Sequence, residues 1–195
     1  MNNCYRIMNF PPMPNNLAQP CLDLASQIYQ DSVPDHIQPI TGVAYPRTVT
    51  RHGKEFPSVR VPRYSLTDLL GEWVSSNVTD RWANIGLSTS LANEHTTTHG
   101  AHTDGIRNFG LLYLLETSNP DQHTIFYQEP GHTILREPNT MIKNLDCLDV
   151  LESVTIQPGT WCYLNVRVLH GVENIQRYRT AVQIDFVEDP FEMFK

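Results

Sequence analysis

Eight short strand-like segments dominate the chain after Trp82, and they restrict its fold more than any other feature. Most of them are separated by turn-forming residues, such as those at 119–121 and 158–159. The segments cover residues 83–91, 109–116, 123–128, 132–136, 152–157, 160–167, 168–173 and 179–187. So many short strands after a helical beginning predict a mainly β jelly roll, with the helices packed on the outside of one sheet.

The chain before Trp82 is richer in helix and loop signals. Residues 1–16 contain many Asn and Pro residues, which predicts an extended or poorly ordered arm. Apolar residues at helical spacing predict a helix over 17–31, with Pro20 in the first turn, where proline is tolerated. A second helix is predicted from Ser65, a suitable N-cap, to about residue 75.

Length and composition favour one domain over residues 1–195. We expect it to consist of the arm, a support region of helices and loops over 17–81, and a jelly-roll core over 82–195. The net charge of −7 gives no strong nucleic-acid signal. The four cysteines form no Cys-x-x-Cys pair, and no apolar run approaches the length of a membrane span. These features predict no membrane association and a reducing, cytoplasmic setting.

The residues with the clearest chemistry surround the triplet His102-Thr103-Asp104. On an extended strand, residues two apart point to the same face, so His102 and Asp104 can bind one metal ion from one side. His170 is the best distal partner, because it follows a strand-like run and precedes Gly171-Val172. Two imidazoles and one carboxylate, with open positions opposite, are the ligand set typical of non-haem Fe(II) oxygenases.

Other histidines are weaker candidates as metal ligands. His99 stands three residues before His102, so on a strand it would face the other way. His95 is a weaker candidate still. His123 and His132 lie close to a predicted hairpin. We therefore expect His102, Asp104 and His170 to be the metal ligands and the catalytic centre.

The triplet, the distal His170 and Arg179, nine residues beyond it, resemble the Fe(II)/2-oxoglutarate-dependent dioxygenases. The run Arg179-Thr180-Ala181-Val182-Gln183-Ile184 is similar to their prolyl-hydroxylase-like branch, and the resemblance covers roughly residue 83 onward. It implies a double-stranded β-helix, Fe(II), and 2-oxoglutarate and O2 as co-substrates. The implied reaction converts 2-oxoglutarate to succinate and CO2 and hydroxylates a C–H bond of an unidentified substrate. Because related halogenases replace the carboxylate with a small residue, Asp104 favours hydroxylation or another oxidation over halogenation.

The resemblance also implies a co-substrate anchor. A guanidinium at position 179 can bind the far carboxylate of 2-oxoglutarate through two hydrogen bonds. Strand parity places Arg179, Ala181 and Gln183 on one face, with Val182, Ile184 and Phe186 on the other. Many relatives have Ser where this chain has Ala181, and Gln183 could supply the missing hydrogen bond. Arg177 is the competing anchor. Tyr113 is a second candidate contact for the same carboxylate, unless a register shift turns it outward.

The substrate is the least constrained part of the prediction, and a small molecule or a peptide would fit. Residues 45–64 carry five basic side chains against Glu55, so this segment could form a basic rim or lid. Arg107 is another possible substrate contact, and Trp161 and Asn165 are plausible pocket lining.

Two other functions use the same ligands. One is a cupin-like metal-binding module without 2-oxoglutarate turnover, in which Arg179 would be structural. The other is a zinc hydrolase, which needs a general base such as Glu94 or Glu116.

Overall fold

The computed structural model describes residues 4–40, 48–57, 61–92, 99–104, 107, 109–129, 141–186 and 188, apart from the side chains of Arg51, Phe56 and His99. This part of the chain forms two α-helices, α1 (Asn15–Tyr29) and α2 (Thr67–Asn77). Its strands are β1 (Tyr5–Met8), β2 (Thr48–Arg51), β3 (Lys54–Pro57), β4 (Arg63–Ser65), β5 (Trp82–Leu91), β6 (His99–His102), β7 (Phe109–Thr117), β8 (His123–Gln128), β9 (Met141–Ile142), β10 (Asp149–Val154), β11 (Trp161–Asn165), β12 (Leu169–Glu173) and β13 (Tyr178–Phe186).

Two antiparallel sheets make up the body of the fold. The major sheet has six strands in the order β1-β11-β7-β13-β5-β4, and the minor sheet has five in the order β10-β8-β12-β6-β9. From β5 to β8, and again from β10 to β13, successive strands alternate between the two sheets. This alternation defines a jelly roll, so the predicted mainly β fold is confirmed.

The interior between the sheets and the outer face of the major sheet hold separate apolar clusters. The interior cluster joins Leu112 and Leu114 of β7 with Phe126 of β8 and Ala181 of β13. The outer cluster packs both helices against alternate residues of the major sheet, which are Ile85, Leu87, Leu111, Tyr113, Trp161, Tyr163, Val182, Ile184 and Phe186. The face of β13 that contains Val182 therefore packs on the helices, as the strand parity predicted.

The helices begin at different residues from those predicted. α1 begins at Asn15, so Pro20 lies inside it and leaves the carbonyl of Asn16 without its helical N–H partner. α2 begins at Thr67 with Leu66 at the N-cap, so the prediction of Ser65 as the cap is wrong. Instead, the Ser65 hydroxyl accepts a long hydrogen bond of 3.4 Å from the Thr67 N–H. In the described ranges, neither helix is long and apolar enough to cross a membrane.

Seven of the eight predicted strands are present, with their ends shifted by up to three residues. The predicted strand at 132–136 lies outside the described residues. The arm and the support region also contribute strands, because β1 pairs with β11 and β4 pairs with β5 at the two edges of the major sheet. β1 also brings Cys4 against the interior cluster.

The β2–β3 hairpin is tied to the segment that follows β9. Both of its turn residues, His52 and Gly53, have positive φ. Their N–H groups donate to the Asp146 carboxylate at 2.6 and 2.7 Å. Thr50 N–H also donates to the carbonyl of Lys143 at 2.8 Å. Because β9 pairs with β6, this hairpin lies on the minor-sheet side of the molecule.

Candidate metal centre and co-substrate pocket

Two neighbouring strands of the minor sheet bring the predicted metal ligands together. His102 at the end of β6 is directly opposite His170 of β12, and their ring centroids are 4.4 Å apart. Asp104 follows β6, and its N–H donates to the carbonyl of Val166 at 3.1 Å. One potential ligand atom from each of the three residues lies within 4.8 Å of the others. All three residues are at most 9% exposed, so the cluster is buried inside the fold.

Backbone carbonyls fix the orientation of both imidazole rings. His102 Nδ1 lies 2.9 Å from the carbonyl oxygen of Gly100, and His170 Nδ1 lies 3.0 Å from that of Val168. A carbonyl can only accept a hydrogen bond, so each Nδ1 carries the proton in the neutral ring. The lone pair of each Nε2 is then available to a metal ion, which is the usual arrangement of ligating histidines.

The charge states of Asp104 and His170 also suit a cation. Burial alone would raise the pKa of Asp104, but the Arg107 guanidinium and the two imidazoles hold it well below its usual range. Burial lowers the pKa of His170 to about 3. At neutral pH the cluster therefore offers an ionised carboxylate and a neutral His170 ring, the forms in which these side chains bind metals. Asp104 Oδ1 lies 3.4 Å from His102 Nε2, so it faces the same point as the imidazole.

Arg179 lies on the inward face of β13, together with Ala181 and Gln183, and is only 5% exposed. Within the part of the chain that the structure describes, its Nε and Nη2 atoms have no hydrogen-bond partner. Burial lowers the pKa of Arg179 to about 10, which still leaves it charged at neutral pH. Among the described residues, Gln183 Oε1 and Thr124 Oγ1 are also buried without hydrogen-bond partners. Because buried charges are normally paired, Arg179 has the properties of a site for an anion.

The residues present therefore fit both groups that the resemblance implies. Two Nε2 lone pairs and Asp104 Oδ1 form a three-atom ligand set for a divalent metal. The Arg179 guanidinium, whose Nε and Nη2 have no partner among the described residues, matches a carboxylate in charge and in fork geometry. Arg177, the competing anchor, is exposed in the turn between β12 and β13. The sequence prediction of Arg179 over Arg177 is consistent with these positions.

Tyr113 and Trp161 do not face this pocket. Tyr113 pairs with Val182 on β13 and packs in the outer cluster, and its hydroxyl accepts a hydrogen bond of 3.2 Å from Met13 N–H. Trp161 packs against it at 4.7 Å between centroids and donates to the carbonyl of Pro11. The prediction of Tyr113 as a co-substrate contact is wrong, because the strand register turns its side chain toward the helices.

Two arginines assigned to the substrate have other partners. Arg107 Nε donates to Asp104 Oδ2, and its Nη1 donates to Asp185 Oδ1 at 2.6 Å. Arg63, expected in a basic rim, has a side chain that is only 10% exposed, and it donates through Nη2 to both Asp185 oxygens at 3.0 and 3.2 Å. Asp185 was not predicted from the sequence as part of the site. Its signal was an acidic residue two positions after Gln183, on the inward face of a strand.

The remaining candidates have no established place at the cluster. Glu116 accepts a hydrogen bond of 3.0 Å from Tyr29, a residue of α1, so this general-base candidate is engaged with a helix. His123 Nδ1 contacts the carbonyl of Asp121 in a loop. Glu94, His95, His132, Arg47 and Arg60 lie outside the described residues, as does the side chain of His99.

Comparison with known proteins supports the fold. No family model matches the sequence, and no curated protein matches it. A prolyl hydroxylase from Trichoplax adhaerens, solved with a hypoxia-inducible-factor peptide, is 12% identical with a TM-score of 0.53, covering 95% of this chain and 84% of that one. The α-ketoglutarate-dependent carbocyclase SnoK from nogalamycin biosynthesis is 10% identical with a TM-score of 0.53, covering 93% and 78%. AviO1 from Streptomyces viridochromogenes Tue57 is 11% identical with a TM-score of 0.51, covering 94% and 89%. At these identities the shared property is the fold, which is that of the 2-oxoglutarate- and Fe(II)-dependent oxygenases.

Proposed function

We propose that this protein is an Fe(II)- and 2-oxoglutarate-dependent dioxygenase. It couples oxidative decarboxylation of 2-oxoglutarate to succinate and CO2 with hydroxylation of a C–H bond in a small molecule or a peptide. One observation carries the proposal. The same jelly roll holds a buried His-Asp-His cluster and, on its inward face, Arg179, whose Nε and Nη2 have no hydrogen-bond partner among the described residues. Neither a passive metal site nor a zinc hydrolase needs that unpaired arginine.

In this proposal each residue has a defined task. His102 Nε2, His170 Nε2 and Asp104 Oδ1 hold Fe(II), and three protein ligands leave coordination positions open for co-substrates. Arg179 binds the distal carboxylate of 2-oxoglutarate. When bound, the metal and 2-oxoglutarate supply the oxidising chemistry, while the protein supplies orientation and a dry environment.

The surroundings of the cluster suit a reaction that must exclude water. The Phe126 ring lies 6.2 Å from that of His170, and Phe126 belongs to the interior cluster with Leu112, Leu114 and Ala181. A water-poor interior strengthens the contact between Arg179 and a carboxylate. It also protects reactive species from side reactions. The four cysteines are free thiols, which fits a reducing, cytoplasmic location for a ferrous enzyme.

Two measurements test the proposal. The first is anaerobic binding of 2-oxoglutarate to the protein loaded with Mn(II), an inert substitute for Fe(II). The second is succinate release with Fe(II), O2 and a panel of peptides and small metabolites, followed by mass analysis for the gain of one oxygen atom. Metal binding without 2-oxoglutarate binding would overturn the proposal in favour of a cupin-like module. Hydrolysis of a substrate by the zinc-loaded protein, without succinate, would favour the hydrolase.

A further inference from the structure

We propose that Asp185 is a positioning residue for the metal centre, because it holds Arg107 in an orientation that leaves Asp104 Oδ1 available to the metal. The inference rests on the proposed metal site. It assigns roles to a buried chain of charges that extends from Asp104 through Arg107 and Asp185 to Arg63.

The contacts show how the Arg107 guanidinium is divided between two carboxylates. Its Nε donates to Asp104 Oδ2, and its Nη1 donates to Asp185 Oδ1 at 2.6 Å. Asp104 Oδ1 instead faces His102 Nε2, at 3.4 Å. Arg107 therefore contacts one oxygen of the metal carboxylate, and the other oxygen points to the metal position.

An arginine beside a carboxylate favours a different arrangement. Its planar fork matches both carboxylate oxygens, and the bidentate pair is stronger than a single hydrogen bond. If Arg107 closed on Asp104 in this way, it would occupy Oδ1 and compete with the metal. The negative charge of Asp185 opposes that closure, because it attracts Nη1 in a buried environment where charges are weakly screened.

Asp185 is itself well placed for this task. It accepts hydrogen bonds from Arg63 Nη2 at 3.0 and 3.2 Å and from Asn84 Nδ2 at 3.2 Å. Burial would raise the pKa of Asp185, but Arg107 and Arg63 lower it, so it stays ionised. Gly110 lies directly opposite Asp185 on β7, and a Cβ there would lie only 3.0 Å from Arg107 Nη1. The absence of a side chain at 110 thus leaves room for the contact between Arg107 and Asp185.

A double-mutant cycle read by metal affinity tests the proposal. Mn(II) is titrated into the metal-free 195-residue chain, and free Mn(II) is measured by electron paramagnetic resonance. Asp185→Asn should bind Mn(II) roughly tenfold more weakly, because Arg107 can then close on Asp104. Asp185→Asn combined with Arg107→Gln should return to within about threefold of Arg107→Gln alone, because the competitor is gone. Such non-additivity identifies a coupled pair.

Two matched variants separate this role from general damage. Asn84→Ala removes a neutral donor from the same Asp185 carboxylate and should leave Mn(II) affinity within about threefold. Arg63→Gln removes the second arginine that donates to Asp185, and it should leave Mn(II) affinity unchanged or higher. Circular dichroism at the titration temperature confirms that each variant is folded. If Asp185→Asn does not fold, Gly110→Ala replaces it, because the new methyl group disturbs the same Arg107–Asp185 contact without removing a charge.

The outcomes distinguish the two levels of inference. No Mn(II) binding by the unsubstituted protein would overturn the metal site, and the proposed function with it. Normal binding by the unsubstituted protein, with an equal loss for Asp185→Asn in both backgrounds, would overturn only the role of Asp185. A tenfold loss of Mn(II) affinity in Arg63→Gln would also overturn the role of Asp185, because that result indicates general destabilisation of the charge chain.

Discussion

The metal cluster and the Arg179 pocket are built on opposite principles. At the cluster, the atoms that do not face the metal position already have partners: each Nδ1 contacts a carbonyl, and Asp104 Oδ2 accepts from Arg107. At Arg179, two nitrogens of a buried guanidinium have none among the described residues. The cluster is therefore organised before any ligand arrives, whereas in the proposed function the Arg179 pocket is completed by the carboxylate of 2-oxoglutarate.

The buried arginines make the same contrast within one residue type. Arg63 and Arg107 both donate to Asp185, so their charges are compensated by the protein. Arg179 has no such compensation in the described chain, and an unpaired buried charge lowers the stability of the folded state. A cost of this kind is common at functional sites, where a ligand later supplies the missing partner. The unpaired state of Arg179 is thus better evidence for function than its burial.

The largest expected effect is loss of metal binding when the organised cluster is broken. His102→Ala, Asp104→Ala or His170→Ala should each weaken Mn(II) binding roughly 100-fold or more, which corresponds to about 2.7 kcal/mol. His123→Ala is the matched control, because its Nδ1 contacts the carbonyl of Asp121 and the residue is not part of the cluster. Direct titration of the metal measures all four variants. Retained binding in any of the first three would remove that residue from the ligand set.

The next effect concerns the incomplete pocket. Arg179→Ala should weaken 2-oxoglutarate binding roughly 30-fold or more, because losing one side of a buried charged pair costs on the order of 2–5 kcal/mol. Arg179→Lys should restore only part of the affinity, since an ammonium lacks the planar fork. Mn(II) affinity should stay unchanged in both. Anaerobic calorimetry with the Mn(II)-loaded protein measures the binding, and the exposed Arg177→Ala is the control.

A large loss confined to Arg177→Ala would move the anchor and contradict the assignment of Arg179. An equal loss of Mn(II) and 2-oxoglutarate binding in Arg179→Ala would also contradict it. In that case the substitution would have damaged the whole interior. The contrast between the metal cluster and the Arg179 pocket would then have no functional meaning.

Without metal or co-substrate, replacing Arg179 and replacing Arg107 should change the free energy of unfolding in opposite directions. Arg179→Met should raise the free energy of unfolding by about 1–2 kcal/mol, because an apolar side chain of similar length replaces an uncompensated buried charge. Arg107→Met should lower it by on the order of 3 kcal/mol, because it leaves Asp104 and Asp185 with fewer partners. Urea unfolding without metal or co-substrate measures both. Destabilisation by Arg179→Met would indicate a partner for Arg179 within the chain.

Those parts of the molecule that follow local patterns could be predicted from the sequence. β7 and β8 agree with the predicted strands because their apolar runs are bounded by turn signals. The strand period of two predicted that His102 and Asp104 face the same way, and they do so although Asp104 lies just beyond the end of β6. His170 lies on β12, which agrees with the predicted strand at 168–173. β1 could not be predicted, because a four-residue edge strand is stabilised by its pairing with β11 rather than by its own sequence.

The positions of site residues could be predicted only on strands whose two faces differ clearly in polarity. From Val182 to Phe186 on β13, apolar and polar residues alternate, so the inward face that contains Arg179 could be assigned. On β7, Leu111, Leu112, Tyr113 and Leu114 are all buried, because the strand is covered on both faces. A continuous apolar run does not indicate which face is which, and this explains the error at Tyr113. The contact between Arg107 and Asp185 joins residues 78 positions apart and has no local signal.

The smallest expected effect tests this corrected position of Tyr113. Tyr113→Phe removes only the hydroxyl, which accepts a hydrogen bond of 3.2 Å from Met13 N–H on the helix side of the major sheet. The free energy of unfolding should fall by about 0.5–1.5 kcal/mol, the usual net value of one buried hydrogen bond. Affinity for 2-oxoglutarate should stay within about twofold, because the ring lies on the opposite face from Arg179. Urea unfolding and anaerobic calorimetry on the same preparation separate the two quantities. A tenfold loss of 2-oxoglutarate affinity at unchanged stability would contradict this position. It would indicate that the Tyr113 hydroxyl contacts the same carboxylate as Arg179.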